Sequence, residues 1–230
     1  MKKIIKTDFL LIKNKDEYNE FINLHLTNQQ QKELVNSAFR QPDSFFIGSY
    51  LGFKHKIYNE CLKKKYKLNF DLLQEEYIDF LYDNTSAKQK WSYETFKNNY
   101  EKENLNDIKK QIKLIQFAIS YFKIKKNIIT YRFCSEEEIE NLTIKKTTKY
   151  PCFLSTTLLP KEYKKTQQYS RYKIIKIYIP KNSKGLPTPA ITKTTPEYEI
   201  LFPYNSKLKY LGTEKDYRLN QELEAFLLSN

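Results

Sequence analysis

The hydrophobic positions of the chain change their period near residue 127. Before that point, apolar residues recur at steps of three and four over residues 105–122, which predicts an amphipathic helix of about five turns. Further helices are expected within residues 16–40 and 56–82. The first 126 residues are therefore predicted to be mainly helical.

After residue 127, apolar and polar residues alternate with the period of two that is typical of strands. The strongest example is residues 172–179, where isoleucines at alternate positions share one face and Pro180 ends the pattern. At least five strands are predicted in this way, at residues 128–133, 153–157, 172–179, 197–202 and 208–211. Helices first and strands later indicate an α+β domain rather than a doubly wound parallel sheet.

The charge of the chain makes anionic partners a serious possibility. Its formal net charge is +13, with 40 Lys and Arg against 27 Asp and Glu. Such a surface attracts phosphates, acidic proteins and anionic membranes. The lysines are spread evenly, however, and proteins that read bases usually carry clustered arginines. Nucleic acid is therefore the second choice of partner, after a protein.

Rare residue types exclude several classes of site. The chain has only four glycines, and neither a phosphate-binding P-loop nor a dinucleotide fingerprint can be written from them. Three cysteines without a C-x-x-C pair, together with two histidines, provide no zinc spacing and no disulfide framework. We therefore expect reduced thiols and no metal site. No apolar stretch has the length of a signal or membrane-spanning segment, so neither is expected.

Two carboxylates lie close together in the predicted strand at residues 197–202. In an extended strand, Glu197 and Glu199 would project from one face about 7 Å apart. Carboxylates at this separation can divide labour in catalysis, one polarising a substrate while the other accepts a proton. The plain alternative is the solvated face of an edge strand, because exposed carboxylates are common.

Four sequence motifs, which follow one another along the chain, favour the catalytic interpretation of the two carboxylates over the solvated edge strand. Tyr131-Arg132 lies late in the predicted strand that ends at Phe133, and an aromatic residue leads into the serine-threonine run of residues 153–157. A strand with a Pro-Lys-x-Ser ending follows at residues 171–183, and the E-x-E motif continues into Leu and Pro at residues 197–203. This order resembles the R-S-E class of mono-ADP-ribosyltransferases, which includes the actin-modifying and Rho-modifying clostridial toxins. The resemblance covers roughly residues 105–211.

The resemblance implies a role for each matched residue. Glu199 would bond the nicotinamide-ribose 2′-hydroxyl of NAD and stabilise the oxocarbenium-like state as nicotinamide leaves. Ser155 would hydrogen-bond and orient Glu199. Arg132 would hold a phosphate of NAD through its planar donors. Glu197 would take the proton from the incoming nucleophile, and a glutamate there accompanies arginine acceptors in the family.

The resemblance also implies further contacts to NAD, which is expected as co-substrate. Arg171 is a second phosphate candidate, and residues 191–196 would form the loop that recognises the acceptor. The family commonly has glycine where Phe133 stands. The resemblance implies that the backbone at this position contacts the nicotinamide amide of NAD. The full set of implied NAD contacts is Arg132, Tyr131, Phe133, Ser155, Thr156, Thr157, Arg171, Tyr169 and Glu199.

The expected architecture is an ADP-ribosyltransferase-like α+β fold. Its helical N-terminal half would pack on a β-sandwich of five to eight short, mainly antiparallel strands. We expect one domain over residues 1–230, with a helical part at 1–126 and a β-rich, NAD-binding core at 127–222. Residues 1–70 contain no recognised motif, and a separate helical extension is one reading of them.

Three functions remain open from the sequence. The first is transfer of ADP-ribose from NAD to a protein side chain, expected to be arginine, by a monomeric toxin or effector. The second is the same chemistry with nucleic acid or water as acceptor. The third is an inactive module that binds nucleic acid or a partner. A secreted or injected effector, with a separate translocation partner where delivery needs one, and a phage-encoded cytoplasmic enzyme both fit the sequence.

Overall fold

The structure of the protein is a computed structural model. It describes residues 6–26, 113, 116–117, 119–120, 122–163, 172–187 and 198–229. The predicted helix at 56–82 lies outside the described residues, as does most of the one at 105–122, of which residues 113, 116, 117, 119 and 120 are helical. By its contacts the chain divides into two compact units, Met1–Asn36 with Ala118–Asn230 and Ser37–Phe117. The first unit contains nearly all of the structure described below.

Eight strands of the described residues form one hydrogen-bonded sheet. They are β1 (Ile128–Cys134), β2 (Thr147–Lys149), β3 (Leu154–Thr157), β4 (Lys173–Ile179), β5 (Leu186–Pro187), β6 (Glu199–Phe202), β7 (Lys207–Asp216) and β8 (Gln221–Ser229). Their order is β2-β7-β8-β4-β1-β3-β6-β5, and only the β4–β8 pair is parallel. The predicted α+β class with mainly antiparallel strands is confirmed.

Strands β1 and β4 form the centre of the sheet. They are antiparallel over their whole length, from Ile128 opposite Ile179 to Cys134 opposite Lys173. The isoleucines at 175, 177 and 179 face one apolar cluster, as the alternation predicts, while Ile174 and Tyr178 face a second cluster on the other side. Because both faces are covered, β4 consists almost entirely of buried residues.

The N-terminal segment is part of this core. Helix α1 (Lys15–Leu26) begins where the Asn14 side chain accepts a hydrogen bond from the Glu17 backbone N–H at 2.9 Å. Tyr18, Phe21 and Ile22 follow at helical spacing, and all three are buried in the first cluster. The side chains of α1 that face inward are thus part of the first cluster.

Several elements of the described residues were not predicted from the sequence, among them one helix and one strand of the central sheet. Helix α2 (Glu136–Thr143) follows β1 directly, and its N-cap Ser135 accepts a hydrogen bond from the Glu138 backbone N–H at 3.1 Å. Strand β8 lies beside β4 and continues to Ser229, beyond the boundary at 222 predicted for the β-rich core. A short helix, α3 (Pro160–Tyr163), follows β3.

Candidate active site

Pairing of β3 with β6 brings Ser155 to Glu199. Thr157 lies opposite Glu199 and Ser155 opposite Leu201, so Ser155 and Glu199 are diagonal neighbours on one face of the pair. The Ser155 hydroxyl donates a hydrogen bond to Glu199 Oε1. Glu199 is only 6% exposed, so this donor contacts a carboxylate that is largely removed from water. The expected hydrogen bond is therefore present.

Arg132 lies beside this pair and is bonded to the same strand. Its Nη1 donates to the Ser155 carbonyl oxygen at 3.0 Å. The guanidinium therefore contacts the backbone of the residue whose hydroxyl contacts Glu199. The three residues of the R-S-E pattern, which are separated by 23 and 44 positions, are brought together.

Two residues that the sequence reasoning missed complete the surroundings of Arg132. Its Nε donates to Glu138 Oε1 at 2.9 Å and its Nη2 donates to the Tyr150 hydroxyl at 2.6 Å. The Tyr150 hydroxyl in turn donates to Glu138 Oε1 at 2.9 Å. The sequence marks Glu138 as the last residue of a capping box, Ser135-x-x-Glu138, directly after the arginine strand, but a capping box predicts a bond to the N-cap rather than to Arg132.

The protonation states of Arg132, Glu138 and Tyr150 are set by burial and by the contacts among the three side chains. Burial works against the ionised form of Glu138, but the charge of Arg132 and the hydrogen bonds that Arg132 and Tyr150 donate outweigh it and hold its pKa below the ordinary value. Burial raises the pKa of Tyr150 well above its ordinary value. At neutral pH the group is therefore an arginine cation, a carboxylate and a neutral phenol.

Two aromatic side chains predicted to contact NAD pack in or against the second cluster. Tyr131 is completely buried in the second cluster, and its hydroxyl donates to Asp216 Oδ2 at 2.9 Å. Phe133 packs against the same cluster. Because successive residues of a strand face opposite sides, both side chains project away from the side that carries Arg132. A backbone contribution from Phe133 stays a prediction.

The two threonines after Ser155 differ in their placement. The Thr156 hydroxyl donates to the Ile200 carbonyl oxygen at 3.1 Å and is buried on the side of the first cluster. Thr157 lies on the face of Glu199, and its hydroxyl accepts a hydrogen bond from the Leu159 N–H at 3.2 Å. Thr157 thus lies on the same face of the β3–β6 pair as Glu199, and Thr156 lies on the opposite face.

The predicted strand at 197–202 begins later than expected. Strand β6 starts at Glu199, and Tyr198 before it has a left-handed backbone with φ of 51°. A left-handed residue interrupts the extended geometry, so the strand alternation on which the expected placement of Glu197 rests does not continue through Tyr198. Glu197 itself lies outside the described residues, as do Arg171, Tyr169 and residues 191–196.

Tyr198 is held in this conformation by two neighbours. Its ring packs edge-to-face on Tyr18 of α1, with centroids 4.8 Å apart. Its carbonyl oxygen accepts a hydrogen bond from the Leu158 N–H at 3.0 Å. These contacts fix the point at which the chain enters β6, and therefore the position of Glu199.

Two other kinds of feature are missing from the described part of the chain. No group of three or more His, Cys, Asp or Glu in the described ranges is arranged to hold a metal ion. No helix among the same residues is long and apolar enough to cross a membrane.

A family model decides the identity of the fold. The model for ADP-ribosyltransferase exoenzymes matches residues 28–225, most of the chain and all of the motifs above. The chain belongs to this family. The resemblance to R-S-E class ADP-ribosyltransferases is thereby confirmed, and with it the general activity, transfer of ADP-ribose. No curated protein matches the chain by sequence.

Solved structures of bacterial ADP-ribosyltransferases share the fold at low sequence identity. An ADP-ribosyltransferase of Clostridium botulinum is 15% identical with a TM-score of 0.50, covering 96% of this chain and 98% of its own. A protein of S. aureus, solved with NAD, is 11% identical with a TM-score of 0.53, covering 97% and 99%. An ADP-ribosylating toxin from a binary enterotoxin of C. perfringens, solved with NADH, is 17% identical with a TM-score of 0.52, covering 90% and 48%.

Proposed function

We propose that this protein is a mono-ADP-ribosyltransferase that cleaves NAD, releases nicotinamide and transfers ADP-ribose to a protein side chain. The observation that carries the proposal is the contact of the Ser155 hydroxyl with the buried Glu199 carboxylate, next to the Arg132 guanidinium. A carboxylate oriented in this way stabilises positive charge that develops on the ribose as the bond to nicotinamide breaks.

Arg132 suits the recognition of a phosphate of NAD. A guanidinium has five N–H donors. Among the described residues, three of them have partners, in Glu138, Tyr150 and the Ser155 carbonyl oxygen. The Cys134 thiol also interacts with the guanidinium. A terminal N–H that these contacts do not use would donate to a phosphate oxygen of NAD. Hydrogen bonds from a guanidinium to phosphate oxygens are charge-assisted and therefore strong.

The acceptor that we propose is an arginine side chain. The support is Glu197, two positions before Glu199, since a carboxylate pairs with a guanidinium and can accept its proton. Replacing Glu197 with Gln is expected to remove transfer to protein while sparing the hydrolysis of NAD. Equal loss of both reactions would contradict the role of Glu197.

We further propose that the protein is a monomeric toxin or effector that acts in the cytosol of a target cell. The support is the family, together with the binary toxin that contains the C. perfringens relative. Delivery by secretion or injection, with a separate translocation partner where needed, and production by a phage inside the infected bacterium are both consistent with this role.

The proposed activity is tested by labelling. The protein is incubated with NAD labelled in the adenylate moiety and a cell lysate, and proteins are separated and treated with nuclease or protease. We expect a discrete, protease-sensitive and nuclease-resistant band that disappears with Glu199→Ala. A band that persists with this variant would contradict the assignment, and a nuclease-sensitive product would identify nucleic acid as the acceptor. Mass spectrometry of the labelled protein then identifies the modified side chain.

A further inference from the structure

A closed ring of polar side chains joins the N-terminus of α2 to the arginine of the site. Glu138 Oε1 is its centre, since it accepts hydrogen bonds from Arg132 Nε and the Tyr150 hydroxyl, each at 2.9 Å. Arg132 Nη2 closes the ring on the Tyr150 oxygen at 2.6 Å. The Cys134 thiol contributes a further contact to Glu138 Oε1 at 3.4 Å.

The ring is shielded from water, which makes its geometry well defined. The side chains of Arg132 and Glu138 are 19% and 26% exposed, and Tyr150 and Cys134 are buried. The Arg132 guanidinium carbon also lies 5.2 Å from the centroid of the Tyr150 ring. Ion pairs in such surroundings are less screened than surface pairs, so Glu138 interacts strongly with Arg132.

Glu138 is unexpected beside a group that receives a phosphate. Its negative charge partly cancels the charge of Arg132 and repels an approaching anion. If Arg132 acted only as a point of positive charge, Glu138 would weaken the binding of NAD. Its presence is explained if orientation matters more than charge.

The contacts show what orientation would achieve. A guanidinium is planar, so bonds from Nε and from both terminal nitrogens fix its plane and the direction of any donor that remains for a ligand. The same plane places Nη1 on the Ser155 carbonyl oxygen, and the Ser155 hydroxyl contacts Glu199. A change in the ring is therefore transmitted both to the phosphate donors and to the catalytic strand.

We propose that Glu138 and Tyr150 are positioning residues that hold the Arg132 guanidinium in the orientation needed to bind NAD. This inference rests on the proposed function. It predicts that loss of the Glu138 carboxylate weakens the use of NAD, although removing a negative charge next to a phosphate site would by itself strengthen it. The sign of the effect therefore separates orientation from charge.

The test compares the steady-state kinetics of nicotinamide release for Glu138→Ala, Glu138→Gln and Tyr150→Phe. We expect Glu138→Ala to raise KM for NAD on the order of tenfold to a hundredfold, because a displacement of about 1 Å in a positioning group can cost a hundredfold. Glu138→Gln should have a smaller effect, since an amide oxygen can still accept from Arg132 Nε. Tyr150→Phe keeps the ring over the guanidinium and removes only the hydroxyl, so its effect should also be intermediate. The matched control is Glu137→Gln on the exposed side of the same helix turn.

A double-mutant cycle excludes a general structural effect. Glu138→Ala is introduced both into the wild type and into the Arg132→Lys variant, and the change in KM for NAD that it causes is compared between the two proteins. If Glu138 acts through Arg132, it should have almost no further effect once Arg132 is replaced, whereas general destabilisation would be additive. Thermal unfolding of each variant checks that it is folded. If Glu138→Ala does not fold, the test rests on Glu138→Gln and Tyr150→Phe.

The outcomes separate this inference from the proposed function. A wild-type protein that releases no nicotinamide and binds no NAD would refute the proposed function. An active wild type whose KM for NAD is unchanged or lowered in Glu138→Gln and Tyr150→Phe would overturn the positioning role alone. Additive effects in the cycle would overturn it as well.

Discussion

Replacement of Ser155 by alanine is the most direct test of how the site is organised. The change removes one hydroxyl and nothing else from the strand that faces Glu199. The lost hydrogen bond is donated to a carboxylate that is 6% exposed, so water cannot easily replace it. A hydrogen bond to a charged group contributes about 1.5–3 kcal/mol.

This magnitude can be converted into a rate. At about 1.36 kcal/mol per tenfold, the loss corresponds to roughly 10- to 150-fold. We expect the effect mainly in kcat, because Ser155 orients the group that stabilises the transition state rather than one that binds the rest of NAD. The assay is the initial rate of nicotinamide release over a range of NAD concentrations, with thermal unfolding to confirm the fold.

Thr156→Val is the matched control for Ser155→Ala. It removes a hydroxyl from the next residue, but that hydroxyl donates to the Ile200 carbonyl oxygen in the core. We expect it to lower the free energy of unfolding by about 1 kcal/mol and to leave kcat within a few fold. An unchanged kcat in Ser155→Ala, or an equal fall in both variants, would refute the role given to the Ser155 hydroxyl.

Three further predictions concern stability. Gly185→Ala would place a Cβ 2.6 Å from Phe202 Cε1, so we expect a loss of about 1–3 kcal/mol and a Tm lower by roughly 2–10 °C. Lys176→Met removes the ammonium 3.1 Å from the carboxylate of Asp216, which is 2% exposed, and should cost about 3–5 kcal/mol in urea unfolding. The pKa of Glu138 is lower in the folded than in the unfolded protein, so its stabilisation is complete above the ordinary value of about 4.3 and is lost as pH falls through the folded pKa. Glu138→Gln should therefore lose less stability than the wild type as the pH falls below the ordinary glutamate pKa of about 4.3.

Each of these predictions has a contradicting result. A Tm of Gly185→Ala equal to that of the wild type would show that the Phe202 ring moves aside at no cost. An unchanged urea midpoint in Lys176→Met would show that Asp216 is stabilised without the ammonium. Parallel acid limbs for the wild type and Glu138→Gln would mean that Glu138 titrates normally in the folded protein.

The sequence was sufficient for the central strands and for the contact between Ser155 and Glu199. Alternation predicted the face of β4 that carries Ile175, and the short motifs led to the expected hydrogen bond between Ser155 and Glu199. The sequence was less informative for β8, where Ala225 to Leu228 form a continuous apolar run without alternation. Such a run is compatible with a buried helix or a buried strand.

The backbone before Glu199 could not be predicted. A left-handed residue is usually expected to be glycine or asparagine, and Tyr198 gives no such signal. Its conformation depends on packing against Tyr18, which is 180 positions away in the chain. The Arg132 ring was missed for a related reason. A capping-box glutamate normally returns to its own N-cap, whereas Glu138 is bonded to the preceding strand.

The central claim is that Glu199 is required for the cleavage of NAD. It is tested most directly by the rate of nicotinamide release from NAD by the purified wild type and by Glu199→Gln, a variant that keeps the size of the side chain and removes its charge. We predict turnover by the wild type and a kcat lower by at least about a hundredfold in the variant, with a similar Tm. A variant that releases nicotinamide as fast as an active wild type would contradict the account.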